Sequence, residues 1–226
     1  GKTDLSIKLA QHFKTEIISS DSRQFYKEMK IGTAVPSKTE LQLVQHYFIQ
    51  DRSIFNDYNV GAFELDAIKL LDQRFQEKDV MIMVGGSGLY VDAVTDGLDD
   101  FPQVDPGIRE QLKLDLQESG IETLQKKLKE LDPMSYERMD IHNKQRLIRA
   151  LEICIGTEYP FSHYLTAHKK KRNFSNIKIG LQADREIIYE RINKRVDQMV
   201  GNGLVEEARS LYAFKDLNAL QTVGYK

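Results

Sequence analysis

The chain opens on Gly1-Lys2-Thr3 and passes at once into a helical pattern. This triplet matches the tail of a phosphate-binding loop. In a complete loop, backbone N–H groups and the helix N-terminus hold a phosphate chain, the lysine neutralises it, and the hydroxyl reaches Mg²⁺. Such triplets also occur by chance; the helix behind it, and the strand and polar turn behind that helix, supply the context. Asp21 lies just past residues 16–20, which read as a short buried strand ending in a polar cluster, where open α/β sheets bind ligands. It can serve as a general base or metal partner, or it can cap a following helix together with Ser22. Gly85-Gly86-Ser87-Gly88 stands in the same way behind Val80-Met81-Ile82-Met83-Val84. Its glycines allow close backbone approach to a ligand, with Ser87 offering a hydroxyl, or they allow tight packing of the next helix.

Two further groups could bind phosphates. Arg191 and Arg195, four apart on a helical pattern over residues 186–199, can clamp a diphosphate or pair with Glu190 and Asp197. On the pattern over 143–155, Gln145, Arg146 and Arg149 share an outward face, while Leu147, Ile148, Leu151 and Ile155 form the apolar stripe. A Gln/Arg face reads base edges and phosphates, or is simply solvated. The run Lys169-Lys170-Lys171-Arg172 after His168 is open to the same two readings. No Ser/His/Asp arrangement or His/Cys metal spacing emerges from the five histidines, and His142 and His163 read as structural or surface residues.

The elements that must position these residues follow from periodicity. Leu5, Leu9 and Phe13 form a helical stripe, and residues 61–77 a second helix with Leu65, Ile68 and Phe75 as core candidates. Residues 16–20 and 80–84 read as buried strands, so strand–helix–strand spacing predicts a parallel sheet with crossover helices. From residue 105 to about 171 there are only helical patterns, at 106–118, 121–130, 133–139 and 143–155. Residues 177–181 then return as a strand, and the following helix is expected to bury Ile188, Ile192, Val196 and Met199. The expected fold is α/β: a P-loop NTPase-like parallel sheet formed by 1–104 and 172–226, with an all-helical insertion at 105–171.

The chain has 226 residues, 41% hydrophobic and 29% charged, enough to bury a sizeable core. A net charge of −2 gives no sign of an anionic partner, so local patterning must supply it. One cysteine, Cys154, excludes an internal disulfide and fits a reduced, cytoplasmic setting. No apolar run is long enough to span a bilayer, and no secretory segment is visible. The start without methionine leads us to expect a strand and most of a loop in front; the closing Thr-Val-Gly-Tyr-Lys reads as cut as well.

Taken in order, these motifs resemble the tRNA dimethylallyltransferases (tRNA isopentenyltransferases). The match runs from Gly-Lys-Thr through Ile-Ser-Ser-Asp-Ser-Arg-Gln-Phe-Tyr and Ile31-Gly32-Thr33-Ala34 to Val-Gly-Gly-Ser-Gly-Leu-Tyr at 84–90. It continues with Asp105-Pro106 and Arg109, then Asn143-Lys-Gln-Arg-Leu-Ile-Arg-Ala-Leu-Glu152. Arg191-Ile-Asn-Lys-Arg-Val-Asp-Gln-Met199 and Val223-Gly224-Tyr225 complete it. The resemblance implies transfer of a dimethylallyl group from its diphosphate to N6 of the adenosine 3′-adjacent to a tRNA anticodon. Asp21 is then the base; Ser87 is catalytic, where the family usually has threonine; Arg191 and Arg195 hold the diphosphate. Gly1, Lys2 and Thr3 bind the same group, Thr3 through Mg²⁺. Asp21, Ser22, Arg23, Gln24, Arg109, Gln145, Arg146, Leu147, Ile148 and Arg149 match segments that touch the tRNA anticodon arm. A monomer is expected. The alternatives are a P-loop small-molecule kinase, prenyl transfer to free adenine nucleotides, and a non-enzymatic RNA-binding module.

Overall fold

The computed structural model describes residues 1–165 and 169–225; His168, which precedes the basic run, and the final Lys226 lie outside them. The residues divide into two compact units, Gly1–Gly97 with Lys171–Lys226, and Leu98–Lys170.

The first unit begins with α1 (Lys2–His12) and β1 (Ile17–Ser19), followed by turns over 22–34. Next come α2 (Lys38–Leu43), β2 (His46–Tyr47), α3 (Val60–Arg74), β3 (Ile82–Val84) and α4 (Gly88–Thr95). The three strands form a parallel sheet in the order β2-β1-β3, with Ile17 opposite both His46 and Ile82. Parallel neighbours require crossovers, and α2 and α3 lie in those connections. Side chains alternate across the sheet. Ile17, Ile82 and Val84 pack with Ile7 and Ala10 of α1, whereas Ile18 and Met83 pack with Phe63, Ala67 and Leu71 of α3 and Val94 of α4. Helices therefore cover both faces, as expected of a P-loop-like core.

Several expected core residues lie elsewhere. On α1 the buried face is Ile7 and Ala10 rather than Leu5, Leu9 and Phe13, because small Ala10 lets the helix approach the sheet. Leu65 is 74% exposed, while Ile68 and Phe75 do join the cluster under α3. Residues 177–181 form no strand: Ile177 is 89% exposed, and no ladder in the described sheet pairs with the segment. Alternating apolar residues become a strand only where a partner edge supplies hydrogen bonds.

The unit closes with α9 (Arg185–Gly201) and α10 (Leu204–Leu211). The stripe Ile188, Ile192 and Val196 is exposed and Met199 only half-buried, contrary to expectation. Helical periodicity shows that a face is apolar; it does not create the element that would cover it, and none of the described residues does. By contrast, Leu211, Ala219, Leu220 and Tyr225 pack on Tyr26, Met29 and Ile54.

The second unit contains α5 (Pro106–Leu131), α6 (Pro133–Arg138), α7 (Lys144–Thr157) and the short α8 (Phe161–Tyr164). Asp105 caps α5 by accepting from the Gly107 N–H, with Pro106 in the first turn. The two helical patterns expected at 106–118 and 121–130 lie on either side of Gly120, whose φ of 77° breaks the helix. Asn143 caps α7. Leu112, Leu124, Leu128, Leu147, Ile148, Leu151 and Cys154 form this unit's core, and burial raises the Cys154 thiol above its ordinary pKa. Asp132 ties the unit together: it accepts from the Ser135 N–H and from both the N–H and hydroxyl of Ser162.

Candidate functional site

The first unit brings together three segments far apart in sequence. Lys2, in the first turn of α1, donates from Nζ to the Gly85 carbonyl at 3.0 Å. Asp21 follows the end of β1, and the glycine turn follows the end of β3. Gly86 lies between them: a Cβ at that position would stand 3.7 Å from Asp21 Oδ2 and 3.8 Å from Lys2 Nζ. A carboxylate and an ammonium therefore flank a backbone position that carries no side chain. Gly85 has a stricter role, because its Cβ would lie 2.3 Å from Ser20 Oγ and 2.5 Å from the Ser20 carbonyl carbon. The residue before Asp21 and the residue after β3 thus touch backbone to backbone.

The Asp21 carboxylate has two tasks. Oδ1 accepts from the Arg23 N–H at 3.0 Å, closing a turn rather than capping a helix, and Oδ2 faces Gly86. Ser87 starts α4 without capping it; its hydroxyl donates to Ser22 Oγ and accepts from the Ser22 N–H, both at 3.0 Å. Ser87 therefore holds the turn that carries Asp21. The Arg23 guanidinium bonds the carbonyls of Asn218, Ala219 and Gln221, and Gln24 Nε2 bonds those of Thr33 and Ala34. Both side chains brace this turn.

A second brace was not apparent from the sequence. Glu207 of α10 accepts from the N–H groups of Lys30, Ile31 and Gly32 and from the Tyr225 hydroxyl. Tyr225 lies so close to Gly32 that a Cβ there would be 2.6 Å from its oxygen. Burial, then the Glu207 carboxylate, pushes the Tyr225 hydroxyl above its ordinary pKa. The Ile31-Gly32-Thr33-Ala34 and Val223-Gly224-Tyr225 motifs thus form one latch.

Arg191 and Arg195 project from exposed positions on α9. Among the described residues they form no ion pair with Glu190 or Asp197, and no contact joins them to Lys2 or Asp21. The basic run is split: Lys170 pairs with Asp100 at 2.7 Å, while the half-buried Arg172 bonds Glu64 at 2.6 Å and the Ala93 carbonyl at 2.8 Å. In the helical unit Gln145 and Arg146 are exposed, Arg149 is partly exposed, and Leu147 and Ile148 lie in the core. Arg109 and Arg149 both reach Glu152 Oε2, at 3.9 Å and 3.1 Å.

Thr3 stands in the first turn of α1, beside Lys2. Among the described residues no cluster of three or more His, Cys, Asp or Glu side chains could hold a metal by itself. A magnesium ion bound mainly through substrate phosphates needs only one or two protein oxygens, which this donor set offers.

A lysine at a helix N-terminus, with a carboxylate and a glycine turn at the C-terminal ends of parallel strands, is an arrangement that can receive a phosphate chain on a P-loop-like α/β core. The sequence model of the family described as IPP transferase matches residues 24–226. A tRNA dimethylallyltransferase of Christiangramia forsetii is 64% identical over all of this chain and 75% of its own length, and that of Flavobacterium johnsoniae is 53% identical over the same shares. Among solved structures, the tRNA isopentenylpyrophosphate transferase of Bacillus halodurans is 35% identical with a TM-score of 0.64, covering all of this chain and 71% of its own. A eukaryotic dimethylallyltransferase acting on tRNA is 26% identical with a TM-score of 0.78, over 96% of this chain and 54% of that one. The chain belongs to the IPP transferase family.

Proposed function

We propose that this protein transfers a dimethylallyl group from dimethylallyl diphosphate to N6 of the adenosine 3′-adjacent to the anticodon of a tRNA. The observation that carries the chemistry is Asp21 Oδ2 and Lys2 Nζ flanking Gly86, in a member of this family. The C1–O bond to diphosphate breaks as the bond from N6 to C1 forms; the proton leaving N6 passes to the Asp21 carboxylate. An exocyclic amine is a poor nucleophile, so the base must be positioned as well as ionised. Ser87, Arg23 and Gln24 supply that positioning by fixing the turn that follows Asp21.

Lys2 and the N-terminus of α1, with Gly1 at its cap, draw negative charge toward the site and stabilise the departing diphosphate. Mg²⁺, held by the Thr3 hydroxyl and the diphosphate, would add further neutralisation when bound. Arg191 and Arg195 are free to turn toward the same phosphates. The helical unit holds the anticodon arm through Arg109, Gln145, Arg146 and Arg149; Leu147 and Ile148 support that surface from beneath. Ser22, Arg23 and Gln24 offer the RNA mainly the backbone of their turn. The adenosine must leave its stack for N6 to reach the prenyl carbon. No described helix is long and apolar enough to cross a membrane. The protein acts on tRNA as a monomer in the cytoplasm.

The test is incubation of the protein with unmodified tRNA and either dimethylallyl diphosphate or ATP, followed by mass spectrometry of the RNA. A prenyl mass gain on the adenosine after the anticodon is expected with the first donor alone. Transfer to free adenine nucleotides in preference to tRNA, or phosphoryl transfer from ATP, would replace this reading.

A further inference from the structure

Glu152 is 5% exposed and sits on the inner side of α7. A buried carboxylate needs partners, and this one has two from different helices: Arg149 NH1 at 3.1 Å and Arg109 NH1 at 3.9 Å, both on Oε2. The Arg149 guanidinium also lies 5.4 Å from the centre of the Phe101 ring, which stacks on Phe161 at 4.9 Å with the planes 10° apart. Arg149 is therefore fixed from an edge by a carboxylate and from a face by an aromatic ring. Both arginines keep over a third of their side chains exposed. Each uses one nitrogen on Glu152, and a guanidinium carries five N–H donors in a rigid fork. One negative charge beneath two positive ones leaves a net positive surface and lets the arginines stay adjacent without repelling each other apart.

We propose that Glu152 is a positioning residue for RNA binding: it gathers Arg109 of α5 and Arg149 of α7 into one preset fork for a backbone phosphate of the tRNA. This rests on the reading that this face of the helical unit holds the anticodon arm. The proposal makes a prediction opposite in sign to charge counting. Removing a carboxylate from a polyanion-binding surface raises its positive potential and should tighten binding if charge alone matters. Loss of positioning weakens it instead, because two long side chains must then be ordered by the RNA.

The experiment measures the Kd of the full chain for an unmodified tRNA, together with kcat and KM, in Glu152→Gln, Arg109→Ala/Arg149→Ala and the triple variant. Glu152→Gln is expected to raise Kd and the KM for tRNA about tenfold with kcat nearly unchanged. In the double-alanine background the same substitution should have no further effect on Kd. Binding by folded Glu152→Gln as tight as wild type or tighter overturns the proposal, as does an equal loss in both backgrounds. If the double-alanine protein binds tRNA like wild type, the reading of this face fails and the proposal falls with it; if only Glu152→Gln is silent, that reading survives. Should Glu152→Gln unfold, Glu152→Asp keeps the charge while withdrawing the oxygen, and it carries the same expected rise in Kd.

Discussion

Gly85→Ala tests the site where its geometry is tightest. The added methyl would begin 2.3 Å from Ser20 Oγ and 2.5 Å from the Ser20 carbonyl carbon, against an ordinary contact of at least 3.4 Å. Rotating the serine hydroxyl relieves only the first clash; the second is with backbone, so β1 and the turn after β3 must separate by about 1 Å. Overpacking of this kind costs about 1–3 kcal/mol, which for a chain of this size lowers Tm by roughly 2–12 °C. The shift also reaches the chemistry, because Asp21 follows Ser20 directly and the Gly85 carbonyl holds Lys2. A displacement of about 1 Å in a positioned catalytic group can lower the rate about 100-fold. Thermal melts and steady-state prenyl transfer to tRNA would measure both effects. Gly86→Ala is the control: its Cβ would meet Asp21 and Lys2 at ordinary contact distance, so Tm should hold while the KM for dimethylallyl diphosphate rises. A Gly85→Ala protein that melts and turns over like wild type would refute the close approach and the positioning built on it.

Asp21→Ala should lower kcat by about 10²–10⁴ while leaving the tRNA Kd within about twofold; equal losses in the two would remove Asp21 as the base. Glu207→Ala withdraws the acceptor from three backbone N–H groups and the Tyr225 hydroxyl, a cost of about 3 kcal/mol once rehydration of partly exposed donors is allowed for. Amide exchange at residues 30–32 should accelerate, and unchanged protection there would count against the latch. In the same variant the Tyr225 hydroxyl should titrate lower than in wild type but still above its ordinary value, because burial is the larger cause. Burial raises the Asp132 carboxyl, but hydrogen bonds from Ser135 and Ser162 together outweigh it and leave its pKa depressed. Its contribution is therefore complete above the unfolded value near about 3.9 and fades as pH falls through the lower folded value. Asp132→Asn should be less stable at neutral pH by about 1–3 kcal/mol and lose less stability on acidification; parallel acid melts of the two proteins would contradict this.

The sequence made Lys2, Asp21 and the glycine turn legible because each sits at a local signal: a helix start, or the end of a strand pattern. The buried stripe of α7 was legible for the same reason, since Leu147, Ile148 and Leu151 recur at helical spacing. β2 was not, because two residues, His46 and Tyr47, carry no period. The opposite error occurred at 177–181 and along α9, where clear patterns lack the neighbours that would bury them. The carboxylates that organise the surroundings, Glu152, Glu207 and Asp132, were also invisible in this sense. Each has a partner on another element (Arg109 for Glu152, the 30–32 turn for Glu207, Ser162 for Asp132), and an acid's neighbours in sequence do not show whether it binds a distant segment or faces water. The resemblance implies tRNA contact at Arg23 and Gln24; their side chains bond backbone carbonyls, a partnership that their sequence neighbours do not signal.

The latch on the 30–32 loop has a bearing on synthesis. Its N–H groups are separated by about 175 residues from the carboxylate that receives them, and Tyr225 comes later still. A ribosome releases these partners long after the turn itself, so the turn behind Asp21 stays unbraced until they emerge. The helical unit differs: the contacts of its core lie within 98–170, and it can condense as soon as that stretch emerges. An order of maturation follows, with the helical unit formed first and the turn behind Asp21 braced only when α10 and Tyr225 arrive.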